Sequence, residues 1–384
     1  MFNKVNSNLL IQILKNNFQS IRCYRFGNRV VPSGYYFAND FYKEKEIKKI
    51  DDENELRKLR NQLFDQENKR QKDLIARIEK IEVQVNEIPL SISENNSLTL
   101  LMNKDISTPF DCAQHIHQLF VKRSVLAQVD GAFYWDMHRP LERDCQIRFR
   151  HFKESENIAV NKAFWRSCSF LLGMVIEKAF KNQIKVYLHS WPKPNPESGS
   201  FVYDVMLNLN NWKPKQSELR VFTAMLTQLI RDNLKFERLE VSSEFAKKMF
   251  EYNKFKFEQI DDIASKSHNQ GKVTLYRVGD HIDISFGPMI SNTNQIGIIH
   301  ATAIHPVETN NGIMFRFQGI ALPQQLNLTP FTYNILREKA KQLNVSGLNS
   351  LVNRKETRNN VKTIESVNED DNHDLKIEKV VNKN

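Results

Sequence analysis

Long apolar runs are missing from this 384-residue chain. No stretch approaches the roughly 18 consecutive apolar residues that a membrane-spanning helix needs, so a membrane span is excluded. Cysteine is scarce: Cys23, Cys112, Cys145 and Cys168 are scattered, with no C-x-x-C pair among them. That argues against a disulfide framework and a zinc ribbon, and leaves a reducing compartment as the default. No G-x-x-x-x-G-K-[ST] loop occurs, which excludes a P-loop nucleotide site. Internal repeats are absent too. Acids are missing from residues 1–39, which hold five bases: Lys4, Lys15, Arg22, Arg25 and Arg29.

What is present is a globular composition, 40% hydrophobic and 26% charged, with 25 Phe. The net charge is +10, and it falls to +5 without the five bases of residues 1–39. A basic chain suits an acidic partner such as nucleic acid, but this body is only mildly basic. Residues 1–30 place Leu9, Leu10, Ile13, Leu14, Phe18 and Ile21 on one helical face with bases outside it, the pattern of a mitochondrial presequence. A helical arm is expected over 40–90, because Leu56, Leu59 and Leu63, and then Leu74, Ile78, Ile81 and Val85, recur at helical spacing. The polar gap from Asp65 to Asp73 argues against one continuous coiled coil.

A compact unit is expected over 95–153. Thr108, Pro109 and Asp111 mark a helix start: a capping hydroxyl, a proline at the first helical position and an acid at the third. Asp130-Gly131 marks a hairpin turn. Strand, helix, hairpin and strand in so short a span imply a β-grasp-like module. His115 and His117 stand two apart on the helix and point to different faces, which is poor geometry for a metal pair. Residues 158–325 alternate helices and strands, led by an apolar helix from Asn161 to Phe180. Lys247, Lys248, Lys254 and Lys256 interleave with Phe250, Tyr252, Phe255 and Phe257. Such interleaving can bind single strands by stacking. The aromatics fall largely on inner faces, however, so core aromatics with solvated lysines are the favoured reading. Tyr276 to Thr293 reads as strand, turn, strand, turn, punctuated by Gly279 and Gly287-Pro288. A last helix is expected within 326–348 and a disordered polar tail over 349–384.

Several of these segments resemble threonyl-tRNA synthetases. V-D-G-A-F-Y-W-D-M-H-R-P-L-E-R-D-C resembles their TGS domain. Phe164 to Phe180, F-E-R-L-E-V from Phe236, M-F-E-Y-N-K-F-K from Met249, and G-I-A-L-P from Gly319 resemble their editing-type domain. Tyr276 to Met289 resembles its Y-x-x-G-D-x-x-D-L-C-R-G-P-H segment. The resemblance implies an α+β fold: helical N-terminal arm, small β-grasp TGS-like domain, larger editing-like domain. It also carries departures. Where an active editing domain has H-x-x-x-H and C-x-x-x-H, this chain has Arg166, Phe170, Ser285 and Met289. Phe and Met cannot act as acid, base or ligand for a borderline cation, Arg stays protonated, and one hydroxyl is not a catalytic constellation.

The resemblance therefore implies no catalytic, cofactor-binding or metal residues and no small-molecule substrate. About 60 residues follow the editing-like domain, too few for a synthetase's catalytic and anticodon-binding domains. The whole plan, from presequence to short C-terminus, is similar to a family of mitochondrial large-subunit ribosomal proteins. That implies a structural role in the matrix, with neighbouring ribosomal proteins and ribosomal RNA as partners. A non-catalytic tRNA-binding module and a stand-alone editing hydrolase are the alternatives.

Overall fold

The computed structural model describes residues 36–37, 53–89, 96–155, 157–181, 183–210, 212–267, 271–309 and 312–348. The expected presequence and the expected polar tail lie outside the described residues. Helix α1 spans Glu53–Asp73, with acids in its first turn and bases in its last, the arrangement the helix dipole favours. It buries Arg57, Arg60, Phe64 and Glu67, a stripe at helical spacing in which three of four residues are charged.

The helical arm expected over 40–90 stops short. α1 ends at Asp73, and Lys80–Asn86 forms strand β1. Ile81 and Val85 are four apart and satisfy a helical face as well as a strand face. Val83 decides between them: Ile81, Val83 and Val85 are all buried, alternating with exposed or half-buried neighbours, and all three are β-branched. The small domain therefore takes its first strand from what reads as arm.

That domain continues with β2 (Ser97–Asn103), α2 (Pro109–Ile116), α3 (Gln118–Arg123), β3 (Leu126–Val129), β4 (Phe133–Asp136) and β5 (Cys145–Arg150). Its sheet has the order β2-β1-β5-β3-β4, with β1 and β5 parallel and the other pairs antiparallel. The start of α2 is built as the sequence implies. Thr108 Oγ1 accepts from the Asp111 N–H at 3.3 Å, and Asp111 Oδ2 accepts from the Thr108 N–H at 2.8 Å. The β3–β4 turn places Asp130 and Gly131 at φ 49° and 68°, the left-handed pair that an Asp-Gly hairpin supplies. β4 is the second strand of that hairpin, paired antiparallel with β3.

The second domain is organised on α4 (Ile158–Ala179), which is buried along most of its length. α4 packs on β7 (Phe201–Leu207) of a four-stranded antiparallel sheet ordered β11-β12-β7-β6, where β6 is Val186–Ser190, β11 is Ile296–Thr309 and β12 is Gly312–Pro323. The close approach needs Gly173, because a Cβ there would stand 2.5 Å from the Tyr203 ring. α5 (Gln216–Arg231) covers β11 and touches α4. A three-stranded sheet follows, β8 (Glu237–Val241), β9 (Val273–Val278) and β10 (His281–Ile284), ordered β8-β9-β10. α6 (Ser243–Met249) and α7 (Lys254–Ser265) adjoin it, and Phe64 of α1 enters the same core. α8 (Pro330–Lys339), capped by Thr329, is the last helix of the described residues and packs on β11.

Candidate functional site

The turn at Gly287-Pro288 lies in the irregular stretch between β10 and β11, and its peptide bond is cis. Gly287 sits at φ +64°, and a Cβ there would lie 1.9 Å from the Tyr276 hydroxyl, so only glycine fits. Tyr276 is fully buried and donates its hydroxyl to Asp136 of the small domain, at 3.0 and 2.9 Å from the two carboxylate oxygens. Burial and then the Asp136 charge hold the Tyr276 pKa well above the ordinary tyrosine value. Asp136 also accepts the Met289 N–H at 2.7 Å and lies 3.6 Å from Arg238. One carboxylate of the small domain thus fixes the turn of the large one. Asp136→Ala leaves the Met289 N–H and the Tyr276 hydroxyl unpaired in the interior. We expect a loss on the order of 1–3 kcal/mol per orphaned group, read by urea unfolding.

Three of the four positions that depart from the editing pattern, Arg166, Ser285 and Met289, meet at this turn, and Phe170 packs elsewhere in the same core. Arg166 donates to the Pro288 carbonyl at 2.7 Å, and burial presses its pKa below the usual arginine value. Phe170, one turn further along α4, has no exposed surface. It packs edge-on to His281, Phe236 and Trp191, with ring centroids 4.9, 5.8 and 6.5 Å away. Met289 is fully buried, and its sulfur accepts from the Ser167 hydroxyl at 3.5 Å. Ser285 accepts from the Gly287 N–H at 3.3 Å, a bond local to the turn. Neither Phe170 nor Met289 exposes any surface, and neither side chain can serve as an acid or base.

Behind Phe170 lies a buried ionic group that the sequence reading did not assemble. Glu177 of α4 accepts from Arg60 of α1 at 2.8 Å and from His281 Nδ1 at 2.6 Å. Arg60 also donates to the Ile282 carbonyl and lies over Phe250 and Tyr252, 5.3 and 5.0 Å from their ring centres. Burial alone pushes the Glu177 pKa up, but Arg60 and His281 outweigh it and hold the carboxyl well below its usual range. A second pair stands beside it. Lys256 of α7 meets Asp283 of β10 at 2.7 Å, and Tyr203 donates to the other Asp283 oxygen. The Lys256 ammonium lies over Trp191 and Tyr203. Lys256 thus departs from the expected solvated lysines: it is 4% exposed, whereas Lys248 and Lys254 are exposed. Two signals for this group were in the sequence, the Asp283 position of the Y-x-x-G-D-x-x-D pattern and a lysine between aromatics.

The charges of the group are paired: each carboxylate faces a cation or hydroxyl at hydrogen-bond distance. Arg60 Nε and His281 Nε2 are buried there without a hydrogen-bond partner. The three thiols among the described residues are poor nucleophiles: burial pushes Cys112 up to about 12 and Cys145 up to about 11, and raises Cys168 well above the usual thiol. Among the described residues no group of three or more His, Cys, Asp or Glu could hold a metal ion. His117 is engaged as the cap of α3, accepting from the Leu119 N–H at 3.0 Å.

Comparison with known proteins matches this architecture. Residues 103–150 fit the TGS domain family. The chain is 28% identical over 258 residues to the probable threonine–tRNA ligase 1, cytoplasmic, of Dictyostelium discoideum, covering 66% of this chain and 34% of that protein. It is 33% identical over 193 residues to human threonine–tRNA ligase 2, cytoplasmic, covering 50% of this chain and 22% of the ligase. The chain thus spans about a third or less of these two ligases, within a class of proteins that pair a TGS domain with threonine–tRNA ligase-like sequence. It is 45% identical over 285 residues to the large ribosomal subunit protein mL39 of Drosophila melanogaster, which covers 74% of this chain and 83% of that protein. The chain belongs to the mL39 family of large ribosomal subunit proteins.

Proposed function

We propose that this chain is a structural constituent of the mitochondrial large ribosomal subunit, non-catalytic, working in the matrix beside neighbouring ribosomal proteins and ribosomal RNA. The observation that carries the reading is the 45% identity to mL39 across most of both chains. The site geometry supports it. Arg166, Phe170, Ser285 and Met289 are taken up in packing and local bonds, and a reaction centre needs a reachable base and nucleophile. The two-domain core then serves as a rigid body whose outer surface makes the contacts.

The test is sucrose-gradient fractionation of mitochondrial extract carrying a tagged copy. The chain is expected to travel with the large subunit and to shift with it when the particle is dissociated. Recovery only in the light fractions sinks the proposal. A purified chain that hydrolyses mischarged threonyl-type tRNA would instead establish the editing enzyme.

A further inference from the structure

α5 and α8 stand on either side of β11 and leave a groove of about 410 Å³ between them. The α5 wall is one helical face, with Arg220 beside Thr223. His300 and Thr302 of β11 line the floor, and Arg337 and Lys341 line the far wall.

The charge of this groove is uncompensated. Arg220 and Arg337 have no carboxylate within ion-pair distance among the described residues. The one acid in the lining, Glu338, is held by Lys341 at 2.5 Å. Segments 213–231 and 326–348, which hold the two helices, carry seven Lys and Arg against two acids. The second acid, Glu218, is buried and spent on the Lys215 N–H at 2.7 Å, so neither acid answers the arginines. His300 adds no cation near neutrality, since burial and then Arg337 hold its pKa below the usual histidine value.

We propose that this groove takes the sugar-phosphate backbone of RNA, with Arg220 and Arg337 contacting phosphates from opposite walls. A guanidinium presents paired donors that match phosphate oxygens. An acidic peptide is the competing occupant and is disfavoured by the lining. Peptide docking relies on apolar or aromatic anchors in a pocket, and the lining's one large apolar side chain, Leu219, is only 8% exposed. The contacts are to backbone, so binding is independent of sequence.

The inference rests on the ribosomal reading, and its test is separate from sedimentation. The purified full-length chain is titrated with a 20-nucleotide single-stranded RNA and with an RNA duplex across a range of salt. R220E/R337E is compared with K122E/K181E, an equal charge change at exposed lysines outside the groove. The groove pair is expected to weaken binding about tenfold or more and to lower the slope of log affinity against log salt by about 1–2. The control pair is expected to leave both nearly unchanged, with circular dichroism alike for all three proteins. Equal losses in the two variants overturn the assignment, as does an unmodified chain that ignores RNA. Photo-crosslinking within isolated large subunits is the second readout. RNA attached to residues 216–224 or 337–341 supports the proposal, and a protein attached there instead defeats it. Failure of the chain to enter the particle is seen in the gradient alone, so the two ideas fail in different experiments.

Discussion

Arg60→Ala is expected to destabilise the chain by about 3–5 kcal/mol, the cost of leaving one member of a buried ion pair without its partner. The residue is 2% exposed and serves four neighbours at once: Glu177, the Ile282 carbonyl, and the faces of Phe250 and Tyr252. Its removal also loosens α1, which otherwise buries only Arg57, Phe64 and Glu67. Urea unfolding at pH 7 should show a lower midpoint. Proteolysis within 53–73 should become faster than in the unmodified chain.

The same variant has a signature in acid. In the intact protein the Glu177 pKa is depressed from a reference near 4.5 by Arg60 and His281. Its contribution is therefore full above that reference and is lost as pH falls towards the folded value. Without Arg60, burial pushes the Glu177 pKa up, so protonation relieves the orphaned charge. The stability gap between Arg60→Ala and the unmodified chain should narrow as pH drops from 7 to 4. A gap that is constant with pH, or that widens, would show that Arg60 acts through its aliphatic stem and stacking rather than through Glu177.

Local grammar was legible where few residues decide it. Thr108, Pro109 and Asp111 specify a helix start by their own hydrogen bonds, and Asp130-Gly131 specifies a hairpin by backbone strain alone. Gly287 was legible as a turn, but its reason was not, because the Tyr276 hydroxyl that forbids a Cβ is held there by Asp136 from another domain. β1 was misread because Ile81 and Val85 fit both periods and the preceding polar helix biased the choice. α4 and the Gly287 turn meet through Arg166 at the Pro288 carbonyl and Ser167 at the Met289 sulfur, a contact between segments more than 100 residues apart. The ionic group behind them was not legible for a physical reason. A charged residue in a sequence reads as surface, and only the simultaneous arrival of Arg60, Glu177, His281, Lys256 and Asp283 from four elements makes burial tolerable.

Arg316→Ala is expected to cost a similar amount, about 3–5 kcal/mol, and to release the end of the described chain. Arg316 is fully buried on β12, directly across the ladder from Asp204 of β7. Its Nε and Nη2 donate to the two Asp204 oxygens at 2.8 and 2.7 Å. Its Nη1 donates to the carbonyls of Asn344 and Ser346 at 2.5 and 2.9 Å. One side chain therefore neutralises a buried acid and ties residues 344–346 to the sheet. Asp204→Leu with Arg316→Met separates the two duties. Replacing a buried pair by apolar residues is often neutral or stabilising, so the double variant should recover most of the lost urea midpoint. It cannot restore the bonds to Asn344 and Ser346, so cleavage by a non-specific protease near 340–348 should stay fast. If the double variant protects that segment as well as the unmodified chain does, the tether belongs to Gln318 and Asn344 instead. Gln318 donates to the Ala340 and Gln342 carbonyls, and the Asn344 amide donates to Ser200. Arg316 would then be reduced to a partner for Asp204.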